Sequence, residues 1–135
     1  MKLHHAVFCV HRRNQEHAAD LWRELGLTFA EIVLDDLGLR VLIDWDAGIE
    51  VVSPLPDAGE SARAFTTFLD TRGEGLYSLV MTVDEVEGPE AVARRYGAEV
   101  EYRQHRDLGT VVIDEVMQAP VHGMPITLLS TDESP

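Results

Sequence analysis

The chain has 135 residues, of which 45% are hydrophobic and 26% charged, a composition typical of one globular domain and not of a disordered chain. Its formal net charge of -13 makes phosphate backbones and anionic membranes poor partners, so we expect it to bind neither nucleic acid nor a membrane. One cysteine, Cys9, excludes an internal disulfide, and no apolar run approaches the roughly 20 residues of a transmembrane helix or forms a signal-peptide core. We therefore predict a cytoplasmic protein whose cysteine is a buried structural thiol.

The first predicted element is the strand "LHHAVFCV", in which two histidines, His4 and His5, stand side by side. Neighbouring side chains of a strand point to opposite faces, so only one of the two can face a given cavity. The strand therefore raises the question of whether that histidine is a metal ligand.

A helix is predicted next, over residues 15–25. Asn14 is a suitable N-cap for it and Gly26 a suitable C-cap. The i, i+3, i+4, i+7 spacing of one apolar helix face is followed by Ala18, Leu21, Trp22 and Leu25. Three strand candidates come after the helix: "LTFAEIVL", "LRVLIDW" and "GIEVVS".

The same pattern returns 71 residues further along the chain, the offset from Ala18 to Pro89. The second apolar stripe consists of Pro89, Val92, Ala93 and Tyr96, and Gly97 follows it. "DLGLRVLID", starting at Asp36, corresponds to "DLGTVVIDE", starting at Asp107. Strand candidates again surround the helix, with "GLYSLVMTV" before it and "AEVEYRQ", "TVVIDEVM" and "PITLLS" after it. The sequence therefore indicates an internal duplication.

The segment between the two copies, "PLPDAGESARAFTTFLDTRGEG", begins with turn-forming residues and can then form a short helix. Ser61 is a candidate N-cap for this helix, and Gly73 would end it. Its apolar face would carry Phe65, Phe68 and Leu69. We predict a linker with one docked helix.

A four-stranded sheet with one helix leaves half of its surface unburied, so the two copies must pair. We therefore predict an α+β fold of two tandem βαβββ modules whose sheets form a shared half-open barrel cleft. The single domain spans residues 1–135, with module one at 1–55, the linker at 56–73 and module two at 74–131.

The paired modules, with "HHAVFCV" at the start, "GIEVVSPL" closing the first copy and "RGEGLYSLVMTVDEV" opening the second, resemble the vicinal oxygen chelate superfamily. It includes glyoxalase I, extradiol dioxygenases, bleomycin-type antibiotic-resistance proteins and methylmalonyl-CoA epimerase. The segment "FLDTRGEGL", followed by a strand ending in "VDEVE", is most similar to the epimerase. The resemblance covers almost the whole chain, and because many relatives are dimers it also implies a homodimer.

In this superfamily a divalent metal is held by four inward-facing residues, one from the first and one from the last strand of each module. Carried over to this chain, the positions are His5 and Glu50 in module one and Ser78 and Thr127 in module two. The resemblance thus implies that His5 faces inward and His4 faces the other way.

Only two of these four positions carry good metal ligands. Catalytic zinc usually has three protein ligands, and neutral hydroxyls bind metals weakly beside imidazole or carboxylate. We therefore predict no cofactor. If a divalent metal is present, we expect His5 and Glu50 to hold it, with His105 or His122 as further candidates.

The carry-over also places Glu50 in the cleft, between Ile49 and Val51, which face the other way. Carboxylates in apolar cavities have raised pKa values and can act as general bases or acids, and a neighbouring histidine can orient them. The resemblance then implies an isomerase or lyase that transfers a proton next to a carbonyl of a small acyl or oxo substrate, independently of metal. Glu50 and His5 are the expected catalytic residues. The expected substrate-binding residues are Ser78, Thr127, Tyr77 and Trp45.

Two other functions fit the same residues. A non-enzymatic small-molecule or antibiotic binding protein of the superfamily needs a cleft and no metal, although aromatic residues make up only 7% of the chain. A structural protein would retain the His5–Glu50 pair as a hydrogen bond from a lost metal site. In "EYRQHR", Arg103 or His105 can meet an anionic substrate or belong to an exposed edge strand.

Overall fold

The structure is a computed structural model that describes residues 1–107, 109 and 111–133. The first module consists of β1 (Lys2–Cys9), α1 (Gln15–Glu24), β2 (Ala30–Leu34), β3 (Leu39–Asp44) and β4 (Ile49–Pro54). The linker contains α2 (Arg63–Arg72). The second module consists of β5 (Gly75–Thr82), α3 (Glu87–Arg95), β6 (Val100–Asp107), β7 (Val111–Gln118) and β8 (Ile126–Glu133).

Each module has its first strand beside its last one. In the first module the strand order is β2-β3-β4-β1, with β1 parallel to β4 and the other neighbours antiparallel. In the second module the order is β5-β8-β7-β6, with β5 parallel to β8. The predicted α+β class with two βαβββ modules is confirmed. Thr110, the predicted first residue of one strand, lies outside the described residues.

Two compact units share the chain. Residues 5–77 form one unit, and residues 1–4 with the chain from residue 78 onwards form the other. The predicted domain, with module one at 1–55, the linker at 56–73 and module two at 74–131, stays a prediction. None of the described helices is long and apolar enough to cross a membrane.

The core of the first module lies between α1 and one face of its sheet. Val10, Ala19, Leu42 and Val51 form a buried cluster, against which Trp22 packs. The face of α1 that packs on this cluster consists of Gln15, Ala18, Ala19 and Trp22. These residues have the spacing expected of one helix face, but the face begins one turn earlier than the predicted stripe.

Leu21 and Leu25 therefore correct the prediction, because they are 59% and 68% exposed. The buried stripe begins at Gln15, and an apolar pattern cannot reveal a polar core residue. Asn14 is also a correction: it lies at the N-cap but makes no capping bond with its side chain, and its Nδ2 donates to Glu74 Oε2 at 2.9 Å instead. Gly26, with φ of 110°, follows the helix as predicted.

The linker helix α2 was predicted, but Ser61 as its N-cap is wrong. A 3₁₀ turn over Glu60–Ala62 precedes it, so that Ala62 occupies the N-cap and Ser61 does not cap the helix. Gly73 ends it with φ of 79°, and its N–H donates to the carbonyl of Leu69 at 3.1 Å.

In the second module a small core and an ion-pair cluster connect α3 to the sheet. Val86, at the N-cap of the helix, packs on Val116 and Leu128. One turn later Glu90 is buried, and its Oε1 accepts hydrogen bonds from Arg94, at 3.0 Å, and from Arg103 on β6. The charge on the Glu90 carboxylate is thus matched by two partly exposed guanidinium groups.

Gln15 is the polar residue on which the first module's core depends. Its side chain is fully buried, and its Nε2 donates to the carbonyl oxygens of Arg40 and Val51 at 2.8 and 3.0 Å. Its Oε1 accepts from Arg40 Nη1 at 3.0 Å. A buried carbonyl that loses its donor keeps the cost of its desolvation.

We expect Gln15→Ala to lower the free energy of unfolding by about 2–4 kcal/mol, because two buried carbonyls lose a donor and a void is left. Urea unfolding followed by far-UV circular dichroism measures it. Glu24→Ala, at an exposed position of the same helix, is the control and should change stability by under about 0.5 kcal/mol. Equal effects of the two substitutions would contradict this account of Gln15.

Candidate functional site

His5 and Glu50 form the centre of the candidate site in the first module. Their strands run parallel, with Val7 opposite Glu50, so His5 lies two residues before the partner of Glu50 and on the same face. His5 Nε2 is 3.1 Å from Glu50 Oε1, and the two side chains are 9% and 16% exposed. The pair is therefore largely shielded from water, while part of the Glu50 side chain stays accessible.

The other face of the same strands belongs to the core beneath α1. Ile49 and Val51 pack in the helix-side cluster, and the Phe8 ring lies 6.0 Å from that of Trp22. His4 is exposed. Strand alternation thus separates His5 and Glu50 from the helix-side core, as the resemblance implies.

Trp45 lies beside the His5–Glu50 pair. Its ring meets the His5 imidazole edge to face, with the ring centroids 6.0 Å apart and an angle of 81° between the planes. The residue is 57% exposed, which is unusual for tryptophan away from a binding surface. An imidazole, a carboxylate and an exposed aromatic face therefore come together in one module.

Ser78 and Thr127 form a corresponding pair in the second module. The register Val80 opposite Thr127 sets them on the same face, and Ser78 Oγ lies 2.7 Å from Thr127 Oγ1. Both are buried, at 1% and 3% exposed. The two positions thus contact each other through neutral hydroxyls.

Tyr77 belongs to an aromatic cluster with the linker helix. Its ring stacks on Phe65, with the centroids 4.4 Å apart, and meets Phe68 edge to face at 5.1 Å. Roles for Tyr77, Ser78 and Thr127 in substrate binding stay predictions.

The further histidine candidates have other surroundings. His105 Nδ1 contacts Asp114 Oδ1 across β6 and β7. His122 is exposed in the turn between Val121 and Met124, with φ of 51°. In the described part of the chain, no three His, Cys, Asp or Glu side chains are grouped to hold a metal ion.

A polar network on the second module was missed in the sequence. Gln104 Oε1 accepts from Tyr102 Oη at 3.1 Å and from Arg106 Nε at 3.0 Å, and Gln104 Nε2 donates to Glu115 at 3.3 Å. The strand register puts Tyr102 on the same sheet face as Thr127. The sequence "EYRQHR" indicated that alternate side chains lie on opposite faces of a strand. It does not indicate which of the two sets lies on the helix side of the sheet.

Solved structures with the same fold cover nearly the whole chain. A protein from Bacillus halodurans described as hypothetical is 16% identical, with a TM-score of 0.72 and 99% and 96% of the two chains covered. A methylmalonyl-CoA epimerase variant from Streptomyces coelicolor, solved with 2-nitronate-propionyl-CoA, is 20% identical, with a TM-score of 0.68 and 100% and 99% covered. The epimerase from Mycobacterium tuberculosis is 24% identical, with a TM-score of 0.59 and 99% and 89% covered.

The chain has the fold of the methylmalonyl-CoA epimerases. The resemblance inferred from sequence is thereby confirmed for the fold. No protein-family model matches the sequence, and no curated protein matches it.

The metal implied by the vicinal oxygen chelate resemblance does not fit the residues present. His5 and Glu50 offer two good donors, and these bond to each other at 3.1 Å. Ser78 and Thr127 offer hydroxyls that are also bonded to each other. A divalent metal site needs more charge and basicity than this set provides.

Cys9 lies on β1, the strand that also carries His5. Its side chain is fully buried, and burial raises the pKa of the thiol from 9.0 to about 12, with the Glu74 and Glu50 carboxylates adding to the effect. Because the thiolate is the reactive form, the thiol is inert at neutral pH.

We expect Cys9 in the folded protein to resist a disulfide reagent at pH 7 and to react fully in denaturant, as absorbance of the released thiolate would show. The stability of the protein should also depend on the ionisation of Cys9. The pKa of the thiol is higher in the folded than in the unfolded protein, so the contribution of the neutral thiol to the free energy of unfolding is complete below about pH 9. This contribution is lost as the pH rises towards about 12. The stability of Cys9→Ala, whose position does not titrate, should therefore fall less over this range. Rapid reaction of the folded protein at pH 7 would contradict the burial of the thiol.

Proposed function

We propose that this protein is an epimerase-like isomerase or lyase that transfers a proton next to a carbonyl of a small acyl or oxo substrate, without a metal ion. The observation that carries the proposal is the His5–Glu50 pair, 3.1 Å apart and on the sheet face opposite α1. The shared fold adds support, since neighbours include an epimerase in complex with methylmalonyl-CoA.

Glu50 is the proposed base. Its side chain is 16% exposed and its Oε1 contacts His5, so in the proposal the other oxygen, Oε2, meets the substrate. The carboxylate takes the proton from the carbon beside the carbonyl, and the proton later returns to the product, so no oxidant or reductant is consumed. The resulting negative charge passes to the carbonyl oxygen.

His5 is the proposed positioning residue. In this role the Nε2–H of His5 donates to Glu50 Oε1 and fixes the direction of the carboxylate. The Trp45 ring, whose centroid lies 6.0 Å from that of the His5 imidazole, supplies an apolar surface for the substrate. In the proposal, Ser78, Thr127 and Tyr77 are further substrate-binding residues.

A non-enzymatic binding protein is the second candidate, and the exposed Trp45 ring favours it. A flat aromatic surface that is 57% exposed can hold a planar small molecule, such as an antibiotic, without any proton transfer. A homodimer in the cytoplasm is part of either proposal. The enzyme requires Glu50 for turnover, whereas the binding protein requires only the Trp45 ring for binding.

Solvent-deuterium exchange tests the enzyme directly. We expect the protein to catalyse incorporation of deuterium next to the thioester carbonyl of methylmalonyl-CoA or a related acyl thioester in D₂O, measured by NMR. Glu50→Gln should lower this rate by about 10²-fold or more, because the amide keeps the shape of the side chain but cannot accept the proton.

The matched control is Glu24→Gln, an exposed glutamate on α1 whose replacement should leave the exchange rate unchanged. Exchange that survives Glu50→Gln would remove Glu50 as the base. Absence of exchange with a range of acyl and oxo compounds, together with tight binding that Trp45→Ala abolishes, would favour the binding protein.

Removal of metal is the second test. We expect exchange activity and thermal stability to be unchanged after dialysis against EDTA, because the residues present form no adequate metal site. Elemental analysis of the untreated protein accompanies the assay. Loss of activity on chelation, restored by a stoichiometric divalent metal, would contradict the metal-independent mechanism.

A further inference from the structure

The second module contains an apolar cavity that the proposed chemistry does not use. It has a volume of about 880 Å³ and lies between α3, the segment that enters this helix and the connection from β7 to β8. Its floor includes Ala98 and Leu128, which are 5% and 4% exposed. The size falls within the range of small-molecule sites in proteins.

The cavity exists because α3 does not lay its apolar stripe onto the sheet. Pro89, Val92, Ala93 and Tyr96 all line the cavity, and Val92 and Tyr96 remain 46% and 73% exposed. In the first module, by contrast, α1 packs Ala19 and Trp22 directly on the sheet-side cluster. Covering such an exposed apolar helix face with a ligand removes apolar surface from water, which lowers the free energy.

The charged side chains of the cavity are acidic, and Met1, which also lines it, adds the N-terminal ammonium group. Every lining residue is apolar or aromatic except Asp84, Glu85 and His122, and no lysine or arginine is among them. Both Glu85 oxygens accept from the Gly88 N–H at 3.1 Å, which holds this carboxylate at the start of α3. Two exposed carboxylates against one ammonium group leave the lining with a net negative charge, which favours a cation over an anion.

We propose that this cavity binds a small amphipathic cation, an alkyl or aromatic body that carries an ammonium group. The body lies against Val92, Ala93 and Leu128, and the ammonium group lies towards Asp84 and Glu85. The repulsion of anions makes this a different ligand class from acyl thioesters of CoA, so the cavity is independent of Glu50.

The probe is decyltrimethylammonium, titrated calorimetrically below its micelle concentration, with decyl sulfate as the matched anion. We expect one site that binds the cation at least about tenfold more tightly, which corresponds to about 1.4 kcal/mol of charge discrimination. Shortening the chain should weaken binding by up to about fourfold per methylene, because each buried methylene contributes about 0.8 kcal/mol.

Variants locate the site. Ala93→Phe fills the cavity and should abolish binding, whereas Ala91→Phe, at an exposed position of the same helix outside the cavity, should not change it. Asp84→Asn should weaken the cation about three- to fivefold, with the exposed Asp70→Asn as control. If Ala93→Phe fails to fold, Met124→Lys, which adds a positive charge to the lining, replaces it and should weaken binding of the cation.

Three results would overturn the proposal. Equal affinity for decyltrimethylammonium and decyl sulfate would show that charge plays no part. Binding of the cation at unchanged affinity in Ala93→Phe or Met124→Lys would place the probe elsewhere. Wild-type protein that self-associates in sedimentation equilibrium while Val92→Asp does not would show that a second copy of the chain covers this face.

Discussion

Parallel pairing between the first and last strands of each module is the constraint on which the candidate site depends. Val7 lies opposite Glu50 and Val80 opposite Thr127, so that the residue two positions earlier, His5 or Ser78, reaches its partner diagonally on the same face. A shift of either register by one residue would turn one member of the pair towards the helix side. The side-chain contacts at 3.1 and 2.7 Å are therefore consequences of backbone hydrogen bonding.

The strands and the duplication were accessible from the sequence because each depends on a repeated local pattern. The eight strand segments predicted from the sequence all overlap observed strands. The predictions for α1 were wrong where a polar residue occupies the core and where the residue at the N-cap does not cap the helix. Gln15 is buried by hydrogen bonds that come from distant strands, and Asn14 bonds to Glu74 instead of its own helix. Long-range partners of this kind leave no mark on local spacing.

The two modules have diverged in chemistry while keeping their topology. One diagonal carries an imidazole and a carboxylate, which can hold or move a proton, and the other carries two hydroxyls, which cannot do so at neutral pH. The face of β6 shows the same divergence, since Arg103 pairs with Glu90 while Tyr102 and Gln104 belong to the network on the other face. Duplicated folds can thus concentrate reactive groups in one copy.

The buried Glu90 gives the two helices different physical sensitivities. The attachment of α1 combines an apolar cluster, the buried Gln15 and an ion pair between Glu16 and Arg40, whose side chain is only 12% exposed. The attachment of α3 relies more on the Arg103 guanidinium group of β6, which is 51% exposed and is therefore open to screening by dissolved ions. High ionic strength therefore acts more on the second copy of the repeat than on the first.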